Sequence, residues 1–180
     1  MSLKDKIMPP LVLTLICVIT SALLVAAYNL TYVDTTGIIT DKLSAGLAEL
    51  YGSDSGFEML KNGDGTVKTY EGVSSVISDG KNTAFEITAD GYSKGGLHLL
   101  IGFGENGEIC GISILTIGET PGLGTKVQDK TFLDKFKGIS SADYSVDNIT
   151  GATYSSKGMK SAVNTALDAY SQMKGEDSDE

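Results

Sequence analysis

A chain of 180 residues is long enough for one compact domain plus an appendage, and a hydrophobic content of 41% with 22 Gly, 3 Pro and no Trp excludes collagen-like and low-complexity classes. The 14 basic residues against 23 acidic ones give a net charge of −9, which repels phosphate polymers and excludes nucleic acid as an expected partner. Its two cysteines, Cys17 and Cys110, stand in no C-x-x-C or Cys/His spacing, so neither a disulfide scaffold nor a metal site is expected.

From Ile7 to Val33 there is no charged residue, a run of roughly 27 positions against the roughly 20 that cross a bilayer as a helix. Lys4 and Lys6 precede it and Asp34 comes directly after it. The positive-inside tendency therefore places residues 1–6 in the cytoplasm, 7–33 in the membrane and 34–174 outside, with Tyr28 and Tyr32 at the outer interface. Val25-Ala26-Ala27 also has the spacing that signal peptidase accepts, but the run is longer than the roughly 7 to 15 residues of a signal core, which favours a retained anchor. Both readings export the remainder of the chain. Ile16 is too bulky to precede a lipoprotein Cys17, so that cysteine is a packing or lipid-facing residue.

Leu43, Leu47 and Leu50 fall on one helical face between Asp41, a candidate cap, and Gly52, a stop, which predicts a short amphipathic stalk helix. Residues 52–65 have loop composition, and 67–77 have only weak strand character. Alternation sharpens at Ala84 to Ala89, where Phe85 and Ile87 alternate with Glu86 and Thr88, and returns at Leu97, Leu99, Ile101 and Phe103. Glu105-Asn106-Gly107 supplies a hairpin turn into Ile109 to Ile117, which makes an antiparallel meander of about three strands. His98 within it is read as an ordinary strand residue. Phe132, Leu133 and Phe136 read as core. A terminal amphipathic helix is predicted from Ser155 or Ser156 to Tyr170, with Met159, Ala162, Val163, Ala166 and Leu167 on its stripe and the two serines as caps. Residues 175–180 form an acidic tail without an apolar anchor and are expected to be disordered.

Two segments are suited to chemistry. Thr150-Gly151-Ala152-Thr153-Tyr154-Ser155-Ser156 lies at the start of the terminal helix, where small residues admit a bulky group and free N–H donors attract an anion such as phosphate. A hydroxyl there, that of Thr153, is a natural attachment point for a phosphoester, although Gly and Thr before a helix also serve as a plain turn and cap. Glu119-Thr120-Pro121-Gly122-Leu123-Gly124 comes after the strongest strand. Pro121-Gly122 forces a turn and Gly124 permits close approach of a flat ligand, while Glu119 either accepts a hydrogen bond from that ligand or faces water. Asn29-Leu30-Thr31 and Asn148-Ile149-Thr150 match the glycosylation pattern but are discounted, since such matches are frequent by chance.

The ordered run Gly91-Tyr92, Gly104-Glu105-Asn106-Gly107-Glu108-Ile109, Glu119 to Gly124, Asp147 and Thr150 to Ser155 resembles the covalent FMN-binding domain. That domain occurs in the G subunit of the Rnf ion-translocating ferredoxin:NAD oxidoreductase and in the C subunit of the sodium-pumping NADH:quinone reductase. The resemblance covers the motif-bearing part, 84–172, and the short length favours the Rnf type. It implies that FMN is joined by a phosphoester to Thr153 by a flavin transferase, with Thr150, Gly151, Ala152, Ser155 and Ser156 around the attachment point and Glu119, Thr120, Pro121, Gly122, Leu123 and Gly124 against the flavin. The chain departs from similar proteins at Ser93-Lys94, which lengthens a turn, and at Gly118, where a polar residue is common.

The fold expected is α+β, a twisted antiparallel sheet with packed helices behind one N-terminal transmembrane helix. The function implied is electron transfer within an Rnf-type complex of membrane and iron–sulfur subunits, with no complete catalytic activity in this chain alone. A free-standing anchored FMN protein serving an extracellular reductase, or a flavin-free anchored binding domain, are the alternatives.

Overall fold

The computed structural model describes residues 3–31 and 37–176. Tyr32, Val33 and Asp34, expected at the outer end of the span, and residues 177–180 of the acidic tail lie outside the described residues, as do the side chains of Lys4 and Lys6. The chain divides into two compact units, Met1–Thr35 and Thr36–Glu180.

The first unit is helix α1, Leu3–Thr31. Its stretch Met8–Thr31 has a mean hydropathy of 2.5 and is long and apolar enough to cross a membrane, with none of it buried. In an apolar surrounding a free hydroxyl would be costly. Thr14, Thr20 and Thr31 each donate back to a carbonyl one turn earlier, those of Pro10 at 2.8 Å, Ile16 at 2.9 Å and Ala27 at 2.7 Å.

The second unit is built on an antiparallel sheet of five strands in sequence order: β1 (Glu58–Met59), β2 (Val73–Ser78), β3 (Thr83–Ala89), β4 (Leu97–Phe103) and β5 (Ile109–Ile117). The alternation in β3 and β4 sets their register, with Phe85 opposite Ile101 and Ile87 opposite Leu99. Glu105-Asn106-Gly107 turns β4 into β5, and Gly107 takes a positive φ of 77° there. The predicted three-strand meander is thus the β3–β5 part of a larger sheet. β1 and β2 escape the alternation because β1 has two residues and β2 carries a bulge between Val73 and Ser75.

Both faces of the sheet are covered. On one, Phe85, Ile87, Leu97, Leu99, Ile101 and Phe103 pack with Met159, Val163, Ala166 and Met173 of α4 (Thr153–Glu176) and with Phe132 and Phe136. Phe132 and Phe136 lie in α3 (Lys130–Leu133) and the 3₁₀ turn Asp134–Phe136, both core as expected. Tyr170 stacks on Phe103 with centroids 4.6 Å apart. On the other face, Leu43 and Leu47 of α2 (Asp41–Tyr51) pack with Phe57, Ile77, Ala84 and Leu100.

Three expectations are corrected. Helix α2 is not a stalk, since Leu47 is 0% exposed against the back of the sheet. Its cap is Thr40, whose hydroxyl accepts from the Leu43 N–H, and not Asp41. Helix α4 begins at Thr153 rather than at Ser155 or Ser156, and it extends past Tyr170 to Glu176, whose carboxylate pairs with Lys68 at 2.8 Å.

Candidate functional site

The two segments singled out in the sequence meet. Thr120, Leu123 and Gly124, from the exit of β5, and Gly151, Ala152, Thr153, Tyr154 and Ser155, from the start of α4, line one cavity of about 330 Å³ together with Tyr92. That volume lies at the lower end of the roughly 300 to 1,000 Å³ usual for ligand pockets.

Local chemistry shapes each wall. Ala152 ends a turn, its N–H donating to the Ile149 carbonyl at 2.9 Å, and its own carbonyl accepts the first helical bond from Ser156 at 2.9 Å. Gly151 makes that turn with a φ of +82°. Thr153 therefore stands exposed at the head of a 24-residue helix whose first N–H groups have no acceptor within the helix. In the facing loop, behind the wall, Gly122 takes a φ of +74° and its N–H donates to Thr125 Oγ1 at 2.9 Å, which closes the loop after Pro121. A Cβ on Gly124 would meet Ser155 Oγ at 2.7 Å and Glu119 Cβ at 2.9 Å, so the loop and helix touch there only because that residue is glycine.

Not every residue that the resemblance implies borders the space. Thr150, Pro121 and Gly122 do not line it. Ser156 is fully buried and accepts from the Ile149 N–H at 3.0 Å, and Ser155 donates to Glu119, so neither serine caps the helix. Glu119 is turned away from water and does not line the cavity. It is 5% exposed and accepts from the N–H groups of Tyr92 at 2.9 Å and Ser93 at 3.0 Å besides the Ser155 hydroxyl. Burial pushes its pKa up, but those three donors outweigh burial and leave the carboxyl below its ordinary value.

Tyr92 and Tyr154 are cavity residues beyond the binding positions expected from the sequence. They stay 72% and 67% exposed, with ring centroids 6.2 Å apart in an edge-to-face pair, beside an exposed Leu123. Large apolar groups left in water around a concavity mark a surface built to be covered. The signal available in the sequence is their position, Tyr92 directly after Gly91 and Tyr154 directly after Thr153. His98 lies elsewhere, paired with Glu86 at 2.8 Å, and Glu86 also accepts from Ser75.

Comparison with known proteins bears on the same residues. The FMN-binding domain family matches residues 91–168, which begin at the Gly91-Tyr92 turn and run into α4. The G subunit of an ion-translocating oxidoreductase complex from Methanosarcina acetivorans is 30% identical over 130 residues, covering 67% of this chain and 68% of that protein. The chain belongs to this family of FMN-binding proteins. The corresponding subunit from Shewanella piezotolerans is 31% identical over 111 residues, 53% of this chain and 52% of that protein. The G subunit of the Na(+)-translocating ferredoxin:NAD(+) oxidoreductase complex from Acetobacterium woodii is 32% identical over 96 residues, 46% of this chain and 45% of that protein. The chain thus spans about half the length of these last two relatives. Every residue that lines the cavity falls within the part of the chain matched by the FMN-binding domain.

Proposed function

We propose that the chain is the flavin-carrying electron-transfer subunit of a membrane-bound, Rnf-type ferredoxin:NAD oxidoreductase, with FMN held as a phosphoester on Thr153. The observation that carries this reading is the convergence of the Thr120 to Gly124 loop and the Gly151 to Ser155 turn on one cavity, with an exposed Thr153 in its lining. When bound, the isoalloxazine accepts two electrons and releases them singly.

The chain's own residues have simpler tasks. Thr153 supplies the ester oxygen, and the first N–H groups of α4 stabilise the phosphate charge. Gly151 and Gly124 leave the backbone free to approach, while Tyr92, Leu123 and Tyr154 offer an apolar wall to the ring. Helix α1 anchors the chain, with its N-terminus in the cytoplasm and the flavin domain outside, where a dissociable flavin would be lost by dilution. Attachment requires a flavin transferase that moves FMN from FAD to the Thr153 hydroxyl, with AMP as the leaving group and the hydroxyl proton released, and electrons arrive from and leave to other membrane and iron–sulfur subunits. The Methanosarcina and Acetobacterium relatives, each named as the G subunit of an ion-translocating or Na(+)-translocating oxidoreductase complex, support a place beside other subunits.

Thr153→Ala and Thr153→Val, made together with the transferase, test the attachment. Both variants should fold, since a change at a helix start costs about 0.5 to 2 kcal/mol, and both should lose covalent flavin on a denaturing gel and by intact mass. A variant that keeps its fluorescent band, or a peptide mass placing FMN on Thr150 or Ser155, would overturn the assignment.

A further inference from the structure

Glu119 is buried, and none of the ion pairs among the described residues involves it. A carboxylate removed from water is costly unless donors replace the water. Here they come from two segments far apart in sequence, the N–H groups of Tyr92 on Oε2 and Ser93 on Oε1, and the hydroxyl of Ser155 on Oε2. Glycines make the room. A Cβ on Gly91 would stand 2.6 Å from Oε1, one on Gly124 would stand 2.9 Å from Oε2, and one on Gly96 would overlap Oε1. Three residues in contact with this carboxylate or its chain, Tyr92, Gly124 and Ser155, line the cavity, while Glu119 itself does not.

We propose that Glu119 is the positioning residue of the flavin site: its buried carboxylate fastens the Gly91–Gly96 loop and the first turn of α4 to the exit of β5, and so fixes the Tyr92 wall relative to the Thr153 hydroxyl. This inference rests on the flavin reading above and adds to it the residue that assembles the cavity without lining it. A carboxylate is required because all three partners donate, and a carboxylate only accepts. Glutamine keeps the shape but turns one of its two ends into a donor facing a donor.

The test uses the full chain in detergent, as wild type, Glu119→Gln and, as a control, Glu86→Gln, whose carboxylate accepts from Ser75 and His98 away from the cavity. Hydrogen exchange in flavin-free protein should be about tenfold or more faster at residues 91–96 and 153–156 in Glu119→Gln, the effect of losing a charge-assisted hydrogen bond, and unchanged there in Glu86→Gln. Co-expressed with the transferase, Glu119→Gln should carry less covalent flavin per chain, and the visible bands of what it carries should move toward those of free FMN. Ser155→Ala, which spares the carboxylate and both N–H donors, is the milder variant if Glu119→Gln fails to fold, and it should speed exchange in 153–156 more than in 91–96. Unchanged exchange at 91–96 in a folded Glu119→Gln, or wild-type loading with a wild-type spectrum, would overturn the proposal. A wild-type chain that takes up no covalent flavin would sink the attachment reading instead, and the exchange comparison would still judge the latch.

Discussion

Gly158 sits where α4 crosses the loop that carries Tyr92. A Cβ there would overlap the carbonyl oxygen of Asp90 and reach Gly91 Cα at 3.0 Å. Two effects oppose each other in Gly158→Ala. Helix propensity favours alanine by about 0.8 to 1 kcal/mol, whereas forcing an atom into packed backbone costs typically about 1 to 3 kcal/mol, and more where the obstacle is a carbonyl that cannot rotate away. The clash should win, and the variant should be less stable by about 1 to 2 kcal/mol. Gly175→Ala in the same helix meets nothing within 4 Å and should be neutral to slightly stabilising. Denaturant titration of both variants checks this, and equal effects would mean that α4 stands further from the loop than these close approaches require. The comparison also bears on the site, because the backbone that Gly158 touches leads directly into the turn that Glu119 holds.

Helix α2 shows what the sequence does and does not disclose. The Leu43, Leu47 and Leu50 stripe was legible, but a stripe says only that one face is covered, not by what, and an appended stalk satisfies it as well as a docked helix. The deciding signal was in β4, where Leu100 breaks the alternation of Leu97, Leu99, Ile101 and Phe103, so both faces of that strand are apolar and something must cover the second. A small residue within the helix agrees: a Cβ on Gly46 would come within 3.0 Å of Leu115 and 3.1 Å of Leu100 on the sheet. If α2 belongs to the core, Leu47→Ala should destabilise the domain by about 2 to 5 kcal/mol; a stalk residue would change it by about 0.5 kcal/mol or less. A urea midpoint unmoved by this substitution would return α2 to the stalk role. The site was legible in a different way. Periodicity placed its two segments on a strand exit and a helix start, whereas their meeting was implied by the resemblance alone, since no local pattern states that residue 124 touches residue 155. The inward turn of Glu119 was hidden for the same reason, because its three donors belong to residues 92, 93 and 155.

Among the described residues, the apolar clusters and the cavity are both drawn from the second unit. Both apolar clusters draw their buried residues from Leu43 to Met173, and the cavity from Tyr92 to Ser155. Helix α1 contributes to neither cluster and leaves Leu13, Val18, Leu23 and Leu24 more than half exposed, an apolar surface suited to a lipid or detergent phase. The full chain should therefore need detergent to stay monomeric, while a fragment starting at Thr36 should be soluble without it. That fragment should also fold: a sheet of five strands covered by helices on both faces exceeds the three strands with one packed face that suffice for independent stability. The measurement is a pair of thermal melts, full chain in detergent and fragment in plain buffer, each monitored by near-ultraviolet circular dichroism. The expected result is one cooperative transition at closely similar temperature in both. A fragment that aggregates, or that retains helical signal without a near-ultraviolet spectrum, would mean that part of the domain's stability comes from residues before Thr36. Since attachment would use only Thr153 and its surroundings, the fragment given FAD and the transferase in vitro should accept FMN, with release of AMP, to the extent of the full chain, and failure of the fragment alone would assign a share of that recognition to the membrane segment.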